Sequence, residues 1–255
     1  MTTAPVAAAG GRQSYWELSR SQRYSLSFAL PLLLLYEGLA FVLNQQTGEG
    51  IRNGADVLLR SLAATVLGDR GPLVFGALVA LLLLALAIRD RRRSGASLRP
   101  RLFIIMLLES AALAIVFGFV VGVVTAQLLN ALPTLAIGQA LEMEWPVVFM
   151  VSLGAGVYEE LVFRVLLVTG LLLLARTLFG MGKGAATAFA VVAGAFIFSA
   201  FHYIGPYGDP LEMPSFVFRT VAGLAFSGLY VTRGFGITAW THALYDVFLL
   251  AARAA

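Results

Sequence analysis

Apolar residues in this chain fall in long blocks, separated by short polar connections that carry most of the arginines. A helix that crosses lipid needs about 20 mainly apolar residues. Seven blocks meet or approach that length, at residues 25–43, 72–88, 102–129, 146–179, 185–203, 216–230 and 237–252. The 146–179 block is too long for one straight crossing. It is predicted to tilt, to break around Gly154 and Gly156, or to extend into water. Between the first two blocks, residues 51–67 are amphipathic and carry Arg52, Asp56 and Arg60. That segment is predicted to be interfacial or re-entrant; if it inserts as a span, the count becomes eight. No run of alternating ten-residue segments signals a barrel, so the polar backbone must be satisfied within helices. The expected fold is all-α, a polytopic transmembrane bundle of seven or eight spans. Residues 1–24 form a polar N-terminal segment without the short apolar region and cleavage site of a signal peptide. Residues 25–253 form a single integral membrane domain.

Composition agrees with that reading. The chain is 59% hydrophobic and 13% charged, against about 25% charged in soluble domains. The absence of cysteine removes disulfides, thiolate nucleophiles and cysteine metal sites. The net charge of +4 comes mainly from loop arginines, which in a membrane protein signal orientation rather than nucleic-acid binding. Arg12, Arg20 and Arg23 precede the first block, Arg89 to Arg101 fill the second connection, Arg176 and Lys183 follow the fourth block, and Arg233 follows the sixth. The 130–145 and 204–215 connections hold only acids, among them Glu142, Glu144, Asp209 and Glu212. Seven spans with a cytoplasmic N-terminus fit this alternation. The Ala-, Gly- and Arg-rich composition points to a bacterial inner (cytoplasmic) membrane.

Chemistry enters where the lipid should exclude it. Both histidines, His202 and His242, lie in apolar blocks, and so does the adjacent pair Glu159 and Glu160. A carboxylate at the bilayer centre costs roughly 2.5 to 3.5 kcal/mol even on the gentler insertion scale. A polar, water-reachable site between helices would account for all four. On a helix Glu160 and Arg164 share a stripe, so the arginine should brace that carboxylate. Glu159 points about 100° away and is left as the carboxylate free to act as a base toward water. Its competing reading is a salt-bridged packing pair without chemistry. His242 and Asp246 are four apart on another block, where the carboxylate can orient the imidazole or act jointly with it on a ligand. His202 lies beside Phe198, Phe201 and Tyr203, one to two turns toward the outer end of its block.

The remaining intramembrane charges, Glu37, Glu109 and Arg219, are expected to satisfy neighbouring helices or to snorkel. Gly118 and Gly122 form a small-xxx-small pair, a helix-packing signal of low specificity. Ser152 has no Lys or His at helical spacing and Ser199 has no adjacent one, so a serine nucleophile is not expected.

The order of these motifs resembles the CPBP family, which includes the CAAX prenyl endopeptidases. An EExxxR motif is met by Glu159, Glu160 and Arg164, an FxxxH motif by Phe198 and His202, and an HxxxN or HxxxD motif by His242 and Asp246. The resemblance covers roughly residues 146–250. It implies an intramembrane glutamate-type endopeptidase in which Glu159 with His202 activates a water and His242 with residue 246 stabilises the oxyanion. The eukaryotic CAAX enzymes have Asn at that last position. Asp246 donates a hydrogen bond only when protonated, so it is expected to orient His242 instead. The resemblance also implies a membrane-associated protein or peptide as substrate. Here that is expected to lose a C-terminal or leader segment, rather than to undergo CAAX processing.

No metal or other cofactor is expected. The alternative is zinc held by Glu159, His202 and His242, but the chain lacks the HExxH spacing that places two ligands on one helix face. Two rival functions remain open. One is a proton-coupled transporter with Glu159 and the histidines as a relay, although no inverted repeat is present. The other is a non-catalytic scaffold or bacteriocin-immunity protein that keeps the fold.

Overall fold

The computed structural model describes residues 14–48, 50–94, 98–130, 144–205 and 208–254. Most of the 130–145 connection, with Glu142, and residues 1–13, with Arg12, lie outside the described residues. Those described form helices and connecting turns without a strand. The helices are α1 (Tyr15–Arg20), α2 (Gln22–Thr47), α3 (Gly54–Leu67), α4 (Gly71–Ser94), α5 (Pro100–Leu128), α6 (Trp145–Gly154), α7 (Thr169–Thr177), α8 (Lys183–Phe201), α9 (Met213–Arg233) and α10 (Phe235–Ala254). A π-helix over Ala155–Val168 joins α6 to α7 without interruption.

The expected break at Gly154 and Gly156 is thus a change of helical winding. The two glycines are needed there for close approach rather than for a kink. A Cβ on Gly156 would stand 2.4 Å from the Ala239 carbonyl oxygen and 2.7 Å from Ala243 Cβ, so its absence lets α10 lie against the π segment. A Cβ on Gly154 would meet the Tyr36 ring and Asn53 Cβ, so α2 and the start of α3 close on the same stretch from the other side.

All seven apolar blocks become helical, but their membrane crossing is a separate matter. By length and composition, α2, α5, α8 and α9 can each cross a membrane, and a fifth crossing is reached if α3 and α4, bent by 112° to each other, form one broken span. The count of seven or eight is not reached on those grounds. The 145–177 helix carries Glu159, Glu160 and Arg164 at its middle, so composition alone does not mark it as a span. The apolar part of α10, Phe235–Ala251, is short.

Helix α10 is central, packing on α2, α5, α6, α9 and the π segment. The principal core joins Leu32, Leu33 and Tyr36 of α2 to Met150, Leu153, Val157 and Tyr158, and to Ala239 and Ala243 of α10. Small side chains on α10 keep the axes close, so its polar residues reach the bundle interior. The N-terminal segment is not featureless. Ser14 caps α1 in a capping box with Glu17, and Tyr15 donates to Glu109 of α5.

The isolated charges find partners on neighbouring helices or in the connections beside them. Glu109 takes a two-pronged contact from Arg233, at 2.7 Å on each oxygen, and Trp16 lies 3.6 Å from that guanidinium. Glu37 pairs with Arg52 and Arg60, and Arg219 with Asp209. Gly118 and Gly122 differ from expectation. A Cβ at either would meet nothing within 4 Å, so this pair packs against no described helix.

Candidate active site

The π segment, the end of α8 and the middle of α10 bring the motif residues together. Glu160 and Arg164 are fully buried, with Arg164 Nη1 3.2 Å from Glu160 Oε1. The same oxygen lies 2.6 Å from His242 Nδ1. Glu160 therefore braces the imidazole of α10 while Arg164 braces Glu160. Orientation of His242 by Asp246 had been expected, but Asp246 Oδ2 is 3.7 Å from Nε2, beyond hydrogen-bond reach. That role falls to Glu160, and Asp246 faces the opposite nitrogen.

Phenylalanine rings line this cluster. Phe226 of α9 stacks on His242 with centroids 4.4 Å apart at 21°. The Arg164 guanidinium carbon lies 4.4 Å from the centroid of Phe198 and 5.7 Å from that of Phe226. Arg164 makes no hydrogen bond among the described atoms, so the ion pair and these two rings hold its charge. A desolvated cation over an aromatic face is worth about 2 kcal/mol. Phe198 also meets both imidazoles edge-on, at 4.8 Å from His202 and 6.4 Å from His242. The FxxxH phenylalanine is thus the spacer between the two histidines.

His202 caps the C-terminus of α8. Its Nδ1 lies 2.9 Å from the Phe198 carbonyl oxygen. A carbonyl only accepts, so Nδ1 carries a proton and, in the neutral ring, Nε2 keeps its lone pair. Glu159 is partly buried and lies within electrostatic range of His202, His242 and Arg164. The helical-stripe argument had placed Glu159 away from Arg164. Among the described residues the ion pair of Arg164 is with Glu160, at 3.2 Å.

Sequence reasoning missed two neighbours. One is Phe226, which has no polar signature. The other is Asn53, whose Nδ2 donates to Glu159 Oε1 at 2.8 Å. The visible signal for Asn53 was its place near the start of the amphipathic 51–67 stretch, where Asn is a favoured N-cap. Among the described residues, no three His, Asp or Glu side chains are grouped so as to hold a metal ion.

Residues 141–248 match the family model described as type II CAAX prenyl endopeptidase Rce1-like. This segment, under half of the chain, is similar to Rce1-like domains. It takes in all the motif residues, from Glu159 to Asp246, and leaves α1 to α5 outside. No curated protein and no solved structure matches the chain significantly. The Rce1-like match and the apolar helices together support a membrane-embedded peptidase of CAAX type, acting on a membrane-associated substrate.

Proposed function

We propose that this protein is a metal-free intramembrane endopeptidase of glutamate type that hydrolyses one peptide bond of a membrane-associated protein or peptide. Glu159 takes a proton from a water molecule held between its carboxylate and Nε2 of His202. The hydroxide attacks the substrate carbonyl carbon, and the C–N bond then breaks as the proton passes from Glu159 to the leaving amine. His242, protonated on both nitrogens, donates Nδ1–H to Glu160 and offers Nε2–H to the oxyanion. Asp246 lies on the Nε2 side of the ring.

The observation that carries this reading is the short Glu160–His242 contact, backed by buried Arg164. Removing one partner of a buried ion pair costs about 3–5 kcal/mol. Such a cluster among apolar helices needs a return in function, and Glu159 is next to it in sequence. Both histidine Nδ1 atoms are committed to protein acceptors, which leaves Nε2 of each ring for the water and the substrate.

In this reading the chain crosses a bacterial inner membrane seven times from a cytoplasmic N-terminus, with α3 re-entrant. The substrate loses a C-terminal or leader segment. The test is Glu159→Gln, which keeps the shape and removes the base. Turnover at the wild-type rate by a folded Glu159→Gln preparation contradicts the proposal.

A further inference from the structure

The part of the chain outside the matched segment reaches the Glu159 carboxylate through Asn53. Asn53 is 3% exposed, and each of its polar groups is engaged. Its backbone N–H donates to the Tyr36 hydroxyl at 3.2 Å. Its Oδ1 accepts from the Ala55 N–H at 2.9 Å, capping α3. Because Oδ1 is taken by a donor, the other end of the amide is Nδ2, and that group donates to Glu159.

Behind Asn53 lies a closed polar network. Tyr36 donates to Asp56 Oδ2 at 2.7 Å. Asp56 is fully buried and pairs with Arg52 at 2.8 Å and Arg60 at 2.6 Å. Both arginines also reach Glu37, and Glu37 accepts from Tyr158, the residue before Glu159. Two arginines thus face two carboxylates, with one tyrosine tied to each carboxylate. A side-chain network with this many mutual contacts holds its members in one arrangement.

We propose that Asn53 is a positioning residue for Glu159. Through it α2, α3 and the turn between them, and not the Rce1-like segment alone, set which way the working carboxylate points. Nδ2–H engages Oε1 of Glu159 and leaves Oε2 to face His202 and the water. The amphipathic segment 51–67 then has a specific role. It is a re-entrant support whose N-cap reaches the reacting group, with the Glu37, Asp56, Arg52 and Arg60 cluster as its anchor.

This inference rests on Glu159 being the base. Its test separates capping from positioning. Asn53→Ser keeps a good N-cap but cannot reach Glu159, whereas Asn53→Gln keeps the donor on a longer arm and caps poorly. The readout is the rate at which new protein termini appear in membranes of cells expressing each variant, beside the unfolding midpoint of each purified protein.

A charge-assisted hydrogen bond of this kind corresponds to a rate loss of about ten- to a hundredfold. Asn53→Ser is expected to show that loss with an unchanged midpoint. Asn53→Gln is expected to unfold earlier yet cleave faster than Asn53→Ser. Activity that simply follows the midpoint across both variants, or Asn53→Ser at the wild-type rate while Glu159→Gln is inactive, overturns the positioning role alone. Glu159→Gln at the wild-type rate removes the underlying mechanism, and the inference with it.

Discussion

Nδ1 of His242 lies 2.6 Å from Oε1 of Glu160, and this contact ties the EExxxR helix to the HxxxD helix. Its partner Arg164 has no exposed surface. Glu160→Ala leaves a buried guanidinium without a carboxylate, at a cost of about 3–5 kcal/mol. Denaturant unfolding in detergent micelles should show that loss together with the loss of cleavage. An unchanged unfolding midpoint for Glu160→Ala contradicts the bracing role.

His202 should behave in the opposite way. Its visible hydrogen bond is to a carbonyl of its own helix, so His202→Ala removes little of the packing. Loss of a group that assists proton transfer lowers rates by roughly 10²–10⁴. The variant is expected to unfold as the wild type does while its cleavage falls by that factor. Parallel losses of stability and cleavage would mark His202 as structural.

Asp246 sits 3.7 Å from Nε2 of His242. An amide there always offers an N–H, which a carboxylate offers only when protonated. Asp246→Asn is therefore expected to stay within about tenfold of the wild-type rate, since one good hydrogen bond is worth about 1 kcal/mol. Asp246→Ala should fall further, because the polar neighbour of the ring is gone. Equal losses in the two variants would show that the negative charge itself is required.

Metal dependence has its own test. Incubation with a strong chelator, followed by its removal, is expected to leave cleavage unchanged, and the purified protein is expected to contain less than stoichiometric zinc. Cleavage lost on chelation and restored by zinc would move Glu159, His202 and His242 from acid–base work to metal ligation.

The helices were legible because lipid imposes a simple rule on sequence. Each apolar block became a helix, and the rare charged residues marked the interior. Glu160 with Arg164 was legible too, because four-residue spacing survives the change of winding. The π-helix was not, since the glycines that accompany it read equally well as a break. The orientation of His242 was assigned to Asp246 because both lie on one helix. The partner it has, Glu160, comes from 82 positions away, and no local spacing encodes that. Asn53 was hidden for the same reason, at 106 positions from Glu159. Gly118 and Gly122 show the converse, a local motif whose Cβ positions face none of the described residues.

The most direct measurement compares protein termini in membrane and released fractions of cells carrying either the wild-type protein or Glu159→Gln at equal abundance. The account predicts a small set of new termini, all from membrane-associated proteins, present with the wild type and missing with Glu159→Gln. Identical termini in the two samples, with both proteins folded in the membrane, would contradict it.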